Sequence, residues 1–170
     1  PMQSSLSIYA GPTALKQLRD EGIHPSQFTV MAGASGGPKW FVLYGLDRYL
    51  FGEFLPRRSE PLRTLGSSAG AWRMCCLATA EPVAAINRLA RLYSEERYSE
   101  APSTGEITAK AEAMLSGTLG ANGAAEIAAN REVLTTLIAD RSRGFGSSRN
   151  KSLQVAALGC AALANLASRR

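Results

Sequence analysis

Apolar and polar positions change period several times along the chain, and each change predicts an element. Ser7-Ile8-Tyr9-Ala10 is a short apolar strand candidate. From Ala14 to Glu21 the apolar residues fall at helical spacing, and Gly22 stands where a helix C-terminal glycine belongs. Ile23 to Ser26 is a loop. Phe28 to Ala32 is an apolar strand running into the glycine-rich turn Gly33 to Pro38. Pro38 suits the first turn of a helix, where its missing N–H costs nothing. The helix it opens, Lys39 to Phe51, carries Trp40, Phe41, Leu43, Leu46 and Leu50 and is expected to be largely buried.

After a polar loop, Glu53 to Pro61, a strand is predicted at Leu62 to Leu65, then a turn at Gly66 to Gly70. A helical stretch follows from Ala71 to about Arg97, broken near Glu81-Pro82. Strands alternating with helices through short turns predict a mainly parallel sheet with helices on its faces, an α/β fold. Past residue 100 the character shifts. Ala101 to Gly105 is a linker, and Ile107, Ala111, Met114 and Leu115 mark one helical face. Val133 to Ala139 is apolar and β-branched, a fourth strand ending at Asp140, before the basic loop Arg141 to Ser152. The expected organisation is one α/β domain over 1–170, with a βαβαβα core to residue 100 and a mostly helical extension beyond.

Composition narrows the class. A chain of 170 residues with 45% apolar and 19% charged residues is ordinary globular material, not a disordered chain, a collagen-like repeat or a disulfide miniprotein. The net charge of +5 favours an anionic partner such as a lipid surface. No nucleic-acid motif accompanies it, so no nucleic-acid partner is expected. Cys75, Cys76 and Cys160 lack metal-ligand spacing and read as reduced thiols, and no metal or cofactor is expected. With no secretory signal pattern at the start, the expected location is cytoplasmic, with peripheral membrane contact through Arg141, Arg143, Arg149 and Lys151 as the alternative to a solvated basic loop. Leu153 to Ala167 is apolar for 15 residues, short of the roughly 20 a bilayer span needs, and reads as a buried or surface-lying helix.

The chemistry sits in two G-x-S-x-G patterns, Gly33-Ala34-Ser35-Gly36-Gly37 and Gly66-Ser67-Ser68-Ala69-Gly70. Each follows an apolar strand and opens a helix, the setting of a nucleophile elbow. Glycines two residues either side of the serine remove side chains that would clash where strand and helix cross. The serine then lies at a helix N-terminus, where free N–H groups favour developing negative charge. Two other classes remain open: a non-catalytic phosphate- or nucleotide-binding module using the helix after Gly37, and an interaction protein that keeps the fold without the activity. Neither turn has the spacing of the known nucleotide fingerprints.

Gly36-Gly37-Pro38-Lys39 has the form G-G-x-[RK], and Gly66-Ser67-Ser68-Ala69-Gly70-Ala71 has the form G-[TS]-S-A-G-[AG], about 31 residues on. With these two motifs, residues 28 to 80 resemble the catalytic core of the patatin-like phospholipases. The resemblance implies a three-layer α/β/α fold and a hydrolase of acyl esters of lipids, using a Ser–Asp dyad. Ser68 is the implied nucleophile. Backbone N–H groups of Gly36, Gly37 and Ala69 form the implied oxyanion hole, and Lys39 stabilises the oxyanion or meets a lipid phosphate. In the alternative register, Tyr9-Ala10-Gly11 serves as the loop and Ser35 as the nucleophile.

The only histidine, His24, is predicted at the N-terminal edge of the sheet, whereas both serines lie at the C-terminal edge, roughly 15 Å away across a five-residue strand. That disfavours a histidine base and agrees with a dyad. The family's aspartate stands in an Asp-Gly motif downstream of the elbow, and this chain has no Asp-Gly pair. Asp20 and Asp47 fall on predicted helices and read as solvated charges. Asp140 ends a predicted strand and is the candidate base within the chain. The expectation preferred over Asp140 is that the chain is a piece of a longer protein that stops ahead of the family's aspartate.

Overall fold

The computed structural model describes residues 7–141, 143–148 and 150–168; Arg149 of the basic loop and the terminal Arg169-Arg170 pair lie outside them, as does the Lys151 side chain. Two compact units are present, Pro1–Ile138 and Ala139–Arg170. The first contains the three-stranded sheet. The change of composition after residue 100 therefore marks no boundary.

In the first unit the order is α1 (Pro12–Glu21), β1 (Val30–Gly33), α2 (Tyr44–Tyr49), β2 (Leu62–Ser67), α3 (Ala69–Leu77), α4 (Pro82–Glu95), α5 (Thr104–Leu119), α6 (Gly123–Ala129) and β3 (Val133–Ile138). The three strands form one parallel sheet in the order β1-β2-β3. The protein is thus α/β, as the alternating periods predict. Gly22 closes α1 at φ 78°, and its N–H donates to the Leu18 carbonyl, as a C-terminal glycine should. The break between α3 and α4 falls at Glu81-Pro82.

Two expectations change. Residues 7–10 form no strand: Tyr9 is 93% exposed and Ile8 half-exposed, with no neighbouring strand to complete their backbone hydrogen bonds. Among the described residues the first regular element is thus a helix, α1. The expected helix Lys39 to Phe51 is also less regular. It starts as a 3₁₀ stretch over Gly37–Leu43, becomes α-helical only in α2, and widens into a π turn at Leu50–Phe54. Packing overrides propensity there: Trp40 and Phe51 are both buried, and a Cβ on Gly52 would lie 2.8 Å from a Val83 methyl.

Burial on β2 alternates strictly. Leu62, Thr64 and Gly66 point into the core, and Arg63 and Leu65 are exposed. The core side is packed by α3 and, behind it, α4 and α5, around Leu62, Met74, Cys76, Ile86, Leu89 and Met114. On the opposite side, Val30, Leu65, Leu134 and Ile138 are 39–58% exposed, which leaves an apolar sheet face open within this unit. In the second unit, α7 (Lys151–Ser168) exposes Leu153, Val155, Leu158, Leu163 and Leu166. Among the described residues, no helix is long and apolar enough to cross a membrane.

Candidate active site

The two G-x-S-x-G patterns do different structural work. In the second, β2 ends at Ser67, Ser68 sits at φ 53°, ψ −129°, and α3 starts at Ala69. Ser68 is the only non-glycine residue with positive φ among the described residues. A side chain in that region costs on the order of 1–3 kcal/mol and persists only where the surroundings enforce it. Here the glycines enforce it. A Cβ on Gly66 would lie 2.5 Å from the Ala71 Cα, and a Cβ on Gly70 would fall on the Gly33 carbonyl oxygen. Both contacts are with backbone, which cannot swing aside. Strand end and helix start are therefore packed main chain against main chain.

The first pattern is the cradle for this elbow. Gly33 ends β1, pairs in register with Gly66, and has room for no side chain because a Cβ would come 2.7 Å from the Gly70 carbonyl oxygen. Ser35 lacks the positive φ of an elbow serine, and its hydroxyl lies 3.1 Å from the Ser67 hydroxyl, bridging the two turns. Gly36 sits at φ −165°, ψ −4° and Gly37 takes φ 51°, turning the chain into the 3₁₀ stretch. A Cβ on Gly36 would meet nothing closer than 4.0 Å.

Around Ser68 the chemistry is simple. The residue is exposed, and its hydroxyl has no hydrogen-bond partner among the described residues. The N–H groups of Ala69 and Gly70 open α3 and have no carbonyl within the helix to receive them. No acidic residue in the first turn neutralises the positive end of the helix dipole. Ser68 and Ala69 form one wall of a cavity of 580 Å³ whose other walls come from Pro38 and Trp40, from Trp72, from Leu89 and Tyr93 on α4, and from Ile107, Ala111 and Met114 on α5. An apolar cavity of several hundred Å³ with a few polar groups is the usual form of a small-molecule site. Trp40 stacks on Phe41 at 4.6 Å and meets Tyr93 edge-on, and its buried Nε1 has no hydrogen-bond partner among the described residues.

Glu96 and Tyr98 also line the cavity. Lys110 Nζ donates to Glu96 Oε1 at 2.7 Å, which holds the Glu96 carboxyl below the usual carboxylate range and raises the Lys110 ammonium. Burial raises the Tyr93 phenol. Lys39 is exposed and is not part of the cavity wall. His24 is bound locally: its Nε2 lies 2.7 Å from the Glu21 carbonyl oxygen, and its backbone N–H donates to Gln27. Asp140 is exposed and belongs to the second unit, apart from the unit that holds Ser68.

Asp47 overturns its sequence reading. It is fully buried, and both its oxygens accept from Arg73 of α3, Oδ2 from Nε at 2.6 Å and Oδ1 from Nη2 at 2.6 Å. Asp20 does remain a surface charge, paired with Lys16 at 2.5 Å. One signal was present in the sequence. Asp47 interrupts the apolar run Trp40 to Leu50, and Arg73 interrupts another from Trp72 to Leu77. Opposite charges stranded in two apolar runs have to find each other or be left unpaired in the core. No group of three or more metal-ligating side chains occurs among the described residues.

No family model, curated protein or solved structure matches this chain.

Proposed function

We propose that this chain carries the nucleophile and oxyanion elements of a patatin-like serine hydrolase acting on acyl esters of lipids. The observation that carries the reading is the backbone of Ser68. A non-glycine residue held at positive φ, between a parallel strand and a helix N-terminus, with glycines on both sides forced by main-chain contact, is what a nucleophile elbow requires. Ser68 Oγ attacks the ester carbonyl, its proton passing to a base. The developing oxyanion is received by N–H groups of Ala69 and of the Gly36-Gly37 loop. The ester's acyl part occupies the apolar cavity beside the serine. Losing one oxyanion donor typically costs about 3 kcal/mol of barrier.

On this reading Ser35 is a structural partner of Ser67, and Lys39 stays at the surface. The base is a carboxylate; Asp47 and Asp20 are committed to Arg73 and Lys16. The three-layer arrangement belongs to the same proposal. A parallel sheet is normally covered on both faces, and the exposed Val30, Leu65, Leu134 and Ile138 supply an apolar face for a further layer. Contact with an anionic membrane surface through Arg141 and Arg143 also belongs to it.

The test is covalent labelling. A fluorophosphonate bearing an alkyl chain is expected to modify Ser68, identified by peptide mass, and Ser68→Ala is expected to abolish the adduct. An adduct on Ser35 would instead make the first pattern the nucleophile. Tight nucleotide or phosphate binding with no serine adduct would move the protein to the binding-module class.

A further inference from the structure

The buried Asp47–Arg73 pair plays no part in the chemistry just described, and stability does not account for it. Its side chains are 0% and 7% exposed, so both charges have left water. Replacing such a pair by apolar residues of similar volume is often neutral or even stabilising. What an ion pair adds over an apolar contact is direction. The guanidinium fork meets the carboxylate through two parallel bonds and fixes one element against the other in angle as well as distance.

The elements it fixes are the two halves of the candidate site. Asp47 is on α2, which continues the 3₁₀ stretch that begins at Gly37. Arg73 is on α3, five residues after Ser68. The loop that would receive the oxyanion and the serine that would create it come from separate βα turns. At the sheet edge they touch through Gly33 and Ala34 against Gly70 and through Ser35 against Ser67. We propose that Asp47 and Arg73 are positioning residues that hold the Gly36-Gly37 loop in register with Ser68. The proposal rests on the hydrolase reading for its consequence, not for its geometry. Misplacing catalytic groups by about 1 Å can cost on the order of 100-fold in rate.

The experiment uses the whole chain and three forms: native, the apolar pair Asp47→Leu with Arg73→Met, and Arg73→Lys, which keeps the charge but loses the fork. Melting temperature, the rate of fluorophosphonate labelling at Ser68, and amide hydrogen exchange across 33–43 and 66–72 are measured on each. The apolar pair is expected to melt within a few degrees of native, to label at least 10-fold more slowly, and to exchange faster in those two segments but not in α5. Arg73→Lys is expected to label several-fold more slowly at nearly unchanged melting temperature. If Arg73→Lys, or a folded apolar pair, labels and exchanges at native rates, the pair is structural only and the proposal fails. If the longest available form of the protein forms no Ser68 adduct, the hydrolase reading fails. The exchange comparison then decides the registration by itself, with unchanged exchange in both segments refuting it.

Discussion

Strain at Ser68 makes a prediction that does not depend on any activity. In Ser68→Ala the Cβ remains and so does its clash with the backbone at φ 53°. In Ser68→Gly the Cβ is gone and the conformation becomes permitted. The relief is about 1–3 kcal/mol for a non-glycine residue in a sparsely populated region. Against it stands the extra freedom of glycine in the unfolded chain, roughly 0.5–1 kcal/mol. Ser68→Gly should therefore be about 0–2.5 kcal/mol more stable than Ser68→Ala, about 1 kcal/mol at the middle of that range, and at ~2–4 °C per kcal/mol for a chain of this size its melting temperature should be a few degrees higher. Both variants lack the hydroxyl, so the difference isolates the backbone. The control is Ser67, whose φ is negative: there Gly should be less stable than Ala, with the Ser35 hydrogen bond lost in both. Urea titrations with unchanged m-values, alongside thermal melts, would measure the differences. Finding Ser68→Gly less stable than Ser68→Ala by as much as glycine costs at Ser67 would mean that Ser68 is not strained, and the case for an elbow would lose its main support.

Other expectations follow from the same contacts. Gly70→Ala should destabilise by at least the ~1–3 kcal/mol of an overpacked site, because the new Cβ meets the Gly33 backbone, whereas Gly36→Ala, with 4.0 Å of clearance, should change the melting temperature little. His24→Ala should leave the Ser68 labelling rate within about twofold of native, since its ring is occupied at the end of α1; a larger loss would bring the histidine into the mechanism. Burial pushes the Cys76 thiol up to about 12 and raises Cys75, while Cys160 is exposed. At pH 8 a water-soluble maleimide should modify one thiol per native chain, at Cys160, and three in urea; two fast thiols would contradict the buried placement. Because the folded state holds these thiol protons above the unfolded value of about 8.5, the stability tied to them is full below that pH and is lost as pH rises towards 12.

Several parts of this structure were legible residue by residue because they depend on near neighbours. The helical spacing before Gly22, the β-branched run that became β3, and the proline that starts α4 are all local signals, and each element formed within a few residues of its expected place. The same local signals misread Ser7 to Ala10, because an apolar tetrapeptide becomes a strand only if another strand completes its hydrogen bonds. They also misread Asp47, whose partner lies 26 residues away on another helix. A charge on a helix looks the same in sequence whether its outward direction is water or the core.

The sequence by itself determined that two glycine-flanked serines would close two strand-to-helix turns at the same edge of a parallel sheet. The longer form Gly66-Ser67-Ser68-Ala69-Gly70-Ala71 favoured Ser68 over Ser35, but both serines satisfy the same five-residue pattern and both follow an apolar strand, so the backbone of each turn was not legible. Tertiary structure set their backbones apart through contacts no local pattern encodes. β1 and β2 pair with Gly33 beside Gly66, α3 leaves the sheet with Gly70 against Gly33, and only at Ser68 does that packing force a side chain into the left-handed region. One pattern became the strained turn and the other the surface that holds it, because two main chains can come that close only where neither carries a Cβ.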